Sequence, residues 1–542
     1  MIKYTEKKAL IIEDFAEFAS SIGTMLRNMG IMYTDTVVSG EAAIQACREK
    51  KYDIILSDYN LGPQKDGQQV LEELVNFNLI KSDCTFIMIT AEKTAAMVMG
   101  ALELQPDSYL TKPFNNLLLK SRLDKSIKEK QVLNPIKIKI LQKKWSEAYK
   151  LCDKVIKDSP KYRSSCIKYK FDCLKNSKRY DKALALVETI IDERTTPWAL
   201  TGVGSIYYEL GKIEKAEMIF IQMTKEFPMA LEGYDWLTKI QHQLNKPVEA
   251  QHTLQKAVER SPKLLKRQKY LGELAEQNND YDTMTQAYRQ AVKYGKHSAF
   301  SQADEHVKLT KSLGYQLKNN SNEERSKLIN EAESVFKKIE SDFKFDTCTQ
   351  FRGAVAHADF SSIVQDKKSI EKHLNNASYI FDKIEEHIGA NESIEISRTL
   401  RALGLNQLAE CVIEEAVEQY FDNPEFIKQA SKLTNNKHLI ENANKANNLN
   451  NKAVKLFKSS DFKQAIHYFQ EAEKIAANNV NIGLNHAQAL LKFYQAGNKD
   501  SDYLYKAETV LGDITRLPLT DERYPRYSEL LRLNQLMLQK VE

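Results

Sequence analysis

Five short apolar runs, at 9–12, 31–37, 52–57, 84–90 and 108–111, punctuate the first 128 residues, and each leads into a stretch with helical spacing. The runs are of strand length, and the stretches between them, such as 15–29 and 39–50, are amphipathic with a 3.6-residue period. Ser39 stands where it can cap the second of these helices. Strand then helix, five times over, predicts a doubly wound five-stranded parallel sheet with helices on both faces. Ligands of such sheets gather at the carboxyl ends of the strands. The residues just past each run are therefore the first candidates for chemistry.

Those positions carry a coherent set. Glu13 and Asp14 close the first run, Asp58 the third and Thr90 the fourth, while Lys112 and Pro113 follow the fifth. Three carboxylates brought together repel one another, which calls for a divalent cation among them. Mg²⁺ prefers oxygen ligands and keeps waters that a phosphoryl oxygen can replace. A lysine ammonium and a hydroxyl opposite the cation can meet the other phosphoryl oxygens, and an aspartate can act as a covalent nucleophile.

The segments ALIIEDF, IILSDYNLGPQKDG, FIMITAE and DSYLTKPF resemble the four signature segments of bacterial response-regulator receiver domains, over about 125 residues. The resemblance implies a flavodoxin-like receiver in which Asp58 is the phosphoacceptor. It implies that Glu13, Asp14, Asp58 and the Asn60 carbonyl hold Mg²⁺, that Thr90 and Lys112 contact the phosphoryl group, and that Lys112–Pro113 is a cis peptide. Thr90 and Tyr109 are the implied switch pair. Phosphorylation adds about 1.5 to 2 negative charges, drawing the Thr90 hydroxyl inward and vacating space for Tyr109. The face made by the fourth helix, fifth strand and fifth helix would then rearrange. The loop 59–66 is longer than in the simplest receivers.

Beyond residue 134 strand patterns cease and a 34-residue rhythm takes over. Gly204, Thr238 and Gly272 are in register, as are Ala216, Ala250 and Met284, then Phe220, Leu254 and Tyr288, with Pro228 and Pro262 keeping the same step. A small residue lets two antiparallel helices approach, a large one fills the gap beside it, and proline ends the second helix. YYELGKIEKAEMIF and HQLNKPVEAQHTL resemble tetratricopeptide repeats, with weaker copies before and after. The resemblance implies an all-α superhelix whose inner groove binds protein, lined by Tyr208, Glu209, Lys239, His242, Lys269 and Glu273. Trp145, Trp198 and Trp236 are expected to pack at helix ends.

The expected domains are a receiver at 1–128, a short junction at 129–133, repeats at 134–299, an irregular helical section at 300–390, further hairpins at 391–520 and a C-terminal helix at 521–542. Within the irregular section, Leu328, Ile329, Ala332, Val335, Phe336 and Ile339 form one apolar stripe, begun by a Ser321 to Glu324 capping box. The Asn-rich stretch 442–451 is expected at a helix end or connection.

Charge and composition narrow the function. Net charge is +5, from 78 Lys and Arg against 73 Asp and Glu, too slight to call for nucleic acid. It is concentrated, however, at 130–190, where sixteen basic residues face six acidic ones. Seven scattered cysteines form no CxxC pair, no apolar run nears the roughly 20 residues of a membrane span, and the amino terminus does not read as a signal peptide. No output-enzyme motif is visible, and His357 and His467 are expected to be structural. The chain therefore reads as a cytoplasmic, non-enzymatic regulator with no membrane insertion. A sensor histidine kinase would phosphorylate it, it could pair through the receiver as a homodimer, and the array would bind an output protein. Nucleic-acid binding through 130–190 is the alternative.

Overall fold

A computed structural model describes residues 2–62, 64–91, 106–298, 303–319, 322–384, 387–477, 479–498, 500–514, 517, 521 and 523–538. The chain divides into two compact units, Met1–Glu305 and His306–Glu542.

The first unit opens with β1 (Lys8–Ile12), α1 (Ala16–Asn28), β2 (Tyr33–Val37), α2 (Gly40–Glu49), β3 (Ile54–Asp58), α3 (Gly67–Asn76), β4 (Thr85–Thr90) and β5 (Ser108–Thr111). The strands pair in parallel in the order β2-β1-β3-β4-β5. The fourth helix expected between β4 and β5 falls on 92–105, outside the described residues. Alternate strand residues supply two cores, as strand geometry requires. Leu10, Ile12, Ile55, Phe86 and Met88 pack on α2 and α3. Ala9, Ile11, Leu56, Ile87 and Ile89 pack on α1 and on the helix that follows β5. Ser39 caps α2, its hydroxyl accepting from the Ala42 amide at 3.2 Å.

That following helix, α4 (Asn116–Leu141), corrects the expected junction at 129–133. It runs through without a break, with Pro135 inside it. Asn134–Pro135 imitates a helix start in sequence, but Leu133, Ile136 and Ile140 continue the apolar face and bury it against Ala148, Cys152 and Cys166. Packing outweighs the hydrogen bond that proline removes.

Helical hairpins follow: α5 (Trp145–Asp158), α6 (Arg163–Asn176), α7 (Tyr180–Glu193), α8 (Pro197–Glu209), α9 (Ile213–Glu226), α10 (Leu231–Gln243), α11 (Pro247–Arg260), α12 (Leu265–Gln277) and α13 (Tyr281–Gly295). The small positions act by close approach. A Cβ on Gly204 would stand 2.6 Å from the Phe220 ring, and one on Gly272 2.6 Å from the Tyr288 ring. Alternate turns carry a left-handed residue, at Lys143, Lys178, Gly211, Asn245 and Asn279, which lets the chain reverse directly after a helix end. Trp198 lies in the first turn of α8 against Phe171, whereas Trp236 sits mid-helix, stacked on Phe220 at 5.5 Å.

Among the described residues of the second unit the regular elements are all helices. The helices Ala303–Asn319, Asn322–Asp342 and Thr347–Val364 are longer than those of the regular hairpins. Leu328, Ala332, Val335, Phe336 and Ile339 are buried; Ser321 of the expected capping box lies outside the described residues. The stretch 442–451 is interior to the helix Lys437–Lys458, correcting the expected connection. Ala443, Ala446, Asn450 and Ala453 provide the buried stripe that holds it helical. His357 is buried, sandwiched between Phe336 and His373 at centroid separations of 3.9 and 3.7 Å. The helix Tyr524–Leu538 ends the described chain.

Candidate functional site

The parallel register brings the strand ends together. Ile12 stands beside Ser57, Asp58 beside Ile89 and Thr90 beside Thr111, so the residues that follow converge on one edge of the sheet. Glu13, Asp14 and Asp58 each offer a carboxylate oxygen within 4.8 Å of the others. Glu13 and Asp58 are buried, and Asp14 is exposed at the mouth.

Lys112 bridges the two buried carboxylates. Its ammonium donates to Asp58 Oδ2 at 2.7 Å and to Glu13 Oε2 and Oε1 at 2.8 and 3.1 Å. The Lys112–Pro113 peptide is cis. Burial raises the Glu13 pKa above the ordinary glutamate value, and the Lys112 hydrogen bond only partly offsets it. Burial works against the charge on Lys112, yet Asp58 and Glu13 together leave its pKa raised. The Lys112 ammonium also lies over the Phe18 ring, 4.3 Å from its centroid, and Phe18 packs edge-on against Phe114.

Hydrogen bonds anchor the residues that follow Asp58. The Asn60 amide donates to Asp58 Oδ1 at 3.4 Å, the Tyr59 amide to Ile89 O at 2.7 Å, and the Gly67 amide to Tyr59 O at 2.9 Å. Asp66 caps α3 in a reciprocal box with Gln69. Thr90 closes β4 at the site edge, and Tyr109 points its ring into the core beneath α2 and α3. The Tyr109 hydroxyl is buried without a hydrogen-bond partner among the described residues, and burial raises its pKa.

The expected groove residues fall on α8, α10 and α12. Lys239 lies over the Tyr208 ring at 4.5 Å and the Trp236 ring at 5.0 Å. His242 Nδ1 is 2.9 Å from the Tyr270 hydroxyl. Glu209 accepts from the Tyr180 hydroxyl at 3.3 Å, Lys269 pairs with Glu305 at 2.8 Å, and Glu273 lies one turn along α12 from Lys269. Beside them a cleft of about 300 Å³ is lined by Trp236, Lys239, Leu254, Arg267 and Tyr270.

Sequence reasoning missed a second set of residues around the same loop. The Lys65 ammonium, buried and paired with Glu73 at 2.6 Å, donates to the His297 carbonyl at 2.8 Å. Gln69 Nε2 donates to the Tyr294 carbonyl at 3.1 Å. Lys263, between α11 and α12, reaches the Tyr59 hydroxyl at 3.1 Å and Asp66 at 3.5 Å. These partners are some 200 residues apart in sequence, so no local pattern signals them.

Comparison with known proteins bears on the first 124 residues. Residues 9–124 match the family described as the response regulator receiver domain. The chemotaxis protein CheY-3 of Vibrio cholerae is 28% identical over 118 residues, covering 22% of this chain and 89% of its own. CheY of Pseudomonas aeruginosa is 26% identical over 118 residues, covering 22% of this chain and 94% of its own. Among solved structures, the receiver domain of a Pseudomonas aeruginosa sensor histidine kinase, with magnesium coordinated in its active site cleft, is 28% identical. It covers 22% of this chain and 97% of its own, with a TM-score of 0.21. The N-terminal part of the chain is a receiver domain, followed by an all-helical remainder. No helix among the described residues is long and apolar enough to cross a membrane.

Proposed function

We propose that this chain is a phosphorylation-dependent response regulator of a two-component relay: Asp58 accepts a phosphoryl group, and the helical array is a protein-binding output. The observation that carries the reading is Lys112 joined to both Asp58 and Glu13 at a strand-end cluster of three carboxylates. An isolated structural lysine would need one partner; this one is poised over the nucleophile.

In the reaction, an Asp58 carboxylate oxygen attacks phosphorus of a kinase phosphohistidine. The new P–O bond forms as the P–N bond breaks, and the imidazole leaves with its electron pair. Lys112 then transfers its hydrogen bond from Asp58 to a phosphoryl oxygen and meets charge with a fixed ammonium. Thr90 offers a hydroxyl at the neighbouring strand end. The donor set fits a hard divalent cation, and Glu13, Asp14, Asp58 and the Asn60 carbonyl would hold Mg²⁺. When bound, the cation neutralises charge on the phosphoryl oxygens. Tyr109, inward with a hydroxyl unpaired among the described residues, is the switch residue of this reading.

For the array we read the hairpins as tetratricopeptide-like, with Tyr208, Glu209, Lys239, His242, Lys269 and Glu273 along the output face. Several of the basic residues of 130–190 are already answered by carboxylates: Lys139 by Glu147, Lys170 by Asp153, Arg163 by Glu193 and Lys175 by Glu209. That internal pairing favours a protein partner over nucleic acid. The kinase, the output protein, pairing through the receiver and a cytoplasmic setting all belong to this reading. Incubation of wild-type protein with a competent phosphohistidine donor should give an acid-labile adduct at residue 58 that Asp58→Asn lacks. An unmodified wild-type residue 58 would remove the signalling role.

A further inference from the structure

Three contacts fasten the loop behind the phosphoacceptor to the helical array. The Tyr294 carbonyl is in the last turn of α13, where a helix leaves its final carbonyls without internal donors and presents the negative end of its dipole, and His297 lies two residues past that end. From the receiver side the Gln69 amide donates to the Tyr294 carbonyl and the Lys65 ammonium to the His297 carbonyl. Lys263 supplies a third point, sharing its charge between the Tyr59 hydroxyl and Asp66. Lys65 is itself buried and held by Glu73 at 2.6 Å.

We propose that the array end formed by Lys263, Tyr294 and His297 is a docking partner of Tyr59, Lys65, Asp66 and Gln69, and that this docking and phosphorylation of Asp58 oppose each other. The inference rests on Asp58 being the phosphoacceptor, and it adds the element that reads the event. In the docked arrangement both Asp58 oxygens are engaged, one by the Asn60 amide and one by Lys112. A phosphoryl group bonded to Oδ2 displaces Lys112 from that oxygen, and a cation held beside Oδ1 would compete with the long contact from the Asn60 amide, so occupation of Asp58 loads the backbone at 58–60. Tyr59 is the next residue, and it carries Lys263. Gly67, at the loop's other end, lies against the Asp58 carbonyl. Tyr59 and Asp66, held by Lys263, and Lys65 and Gln69, held by the carbonyls at and just past the end of α13, resist movement of that backbone. Reciprocity then requires that whatever occupies Asp58 loosens the dock by the same factor. Release would expose the loop between α11 and α12 and the end of α13, a surface separate from the groove on α8, α10 and α12.

The test uses the full chain and beryllium fluoride with Mg²⁺ as the phosphoryl probe. Lys263→Ala removes one point; Gln69→Glu keeps the α3 cap through its carboxylate but sets that carboxylate against the Tyr294 carbonyl. Calorimetric titration should show the double variant binding the probe at least about five-fold tighter than wild type. Hydrogen exchange should show 261–268 and 290–298 losing protection in two situations: in wild type when the probe binds, and in the double variant without it. Equal probe affinity in the two proteins, or unchanged exchange in the unliganded variant, overturns the docking proposal while leaving the phosphoacceptor intact. A wild-type protein that neither binds the probe nor forms the residue 58 adduct overturns both.

Discussion

A Cβ placed on Gly67 would stand 2.1 Å from the carbonyl oxygen of Asp58 and 3.0 Å from the Ser57 hydroxyl. The first residue of α3 is thus pressed against the backbone of the candidate nucleophile, with no room for any side chain. Gly67→Ala must push α3 or the end of β3 away, which costs about 2–3 kcal/mol by the usual scale of overpacking. Thermal unfolding monitored in the receiver should show the loss. An unchanged midpoint would mean that α3 yields freely, and that Asp58 is not held from behind.

Lys112 bridges two carboxylates, of which Glu13 is 1% exposed, and its single charge offsets only part of theirs. Lys112→Met leaves those charges facing each other in a poorly solvated place, and breaking a buried pair in this way costs about 3 kcal/mol. A divalent cation can replace the missing charge. The variant should therefore gain more thermal stability from millimolar Mg²⁺ than wild type does, measured against chelator-treated samples. Equal gains would show that the carboxylates do not share a cation.

The strand ends were legible because a parallel sheet turns sequence order into spatial convergence: once the apolar runs are placed, Glu13, Asp58, Thr90 and Lys112 must meet at one edge. The hairpins were legible because Gly204 and Phe220 repeat, as a small residue and its filler, at Thr238 with Leu254 and at Gly272 with Tyr288. The uninterrupted helix through Pro135 was not, since its reason is the burial of Leu133 and Ile136 under a helix not yet formed. Asn-rich 442–451 misled for a similar reason, its weak helix propensity being outweighed by buried alanines. The fastening of Lys65, Gln69 and Lys263 depends on long-range geometry alone.

The close approach of Gly204 to Phe220 gives a test of the hairpin packing. Gly204→Ala should cost about 2 kcal/mol, because its methyl group meets a fully buried ring at 2.6 Å. Adding Phe220→Leu should restore part of that loss, since the chain itself uses Thr238 with Leu254 at the equivalent positions. Chemical denaturation of the two variants measures this. A double variant no better than the sum of its singles would show that the two sites do not share one space.

His373 carries the clearest pH dependence of the second unit. Burial lowers its pKa from the ordinary 6.5 to about 4, and His357 and Lys372 push in the same direction while Asp366 opposes them. The unfolded chain therefore binds the proton first as pH falls. Stability from this group is complete above 6.5 and is lost progressively between 6.5 and 4. The free energy lost over that window is of order 2–3 kcal/mol. His373→Phe keeps a ring against His357 and removes the titration, so its stability should vary less with pH over the same range. Parallel curves for the two proteins would place the acid sensitivity elsewhere.

The 26-residue helix α4 is about 39 Å of rod with two owners. Its first half completes the sheet's core through Leu119, Leu123 and Ile127, and its second half completes the opening hairpin through Leu133 and Ile136. Severing the chain near residue 128 would strip an apolar flank from whichever fragment lost the shared spine. The natural unit of inheritance is accordingly the receiver together with at least α5 and α6, and grafting either half onto a foreign protein must carry that rod intact.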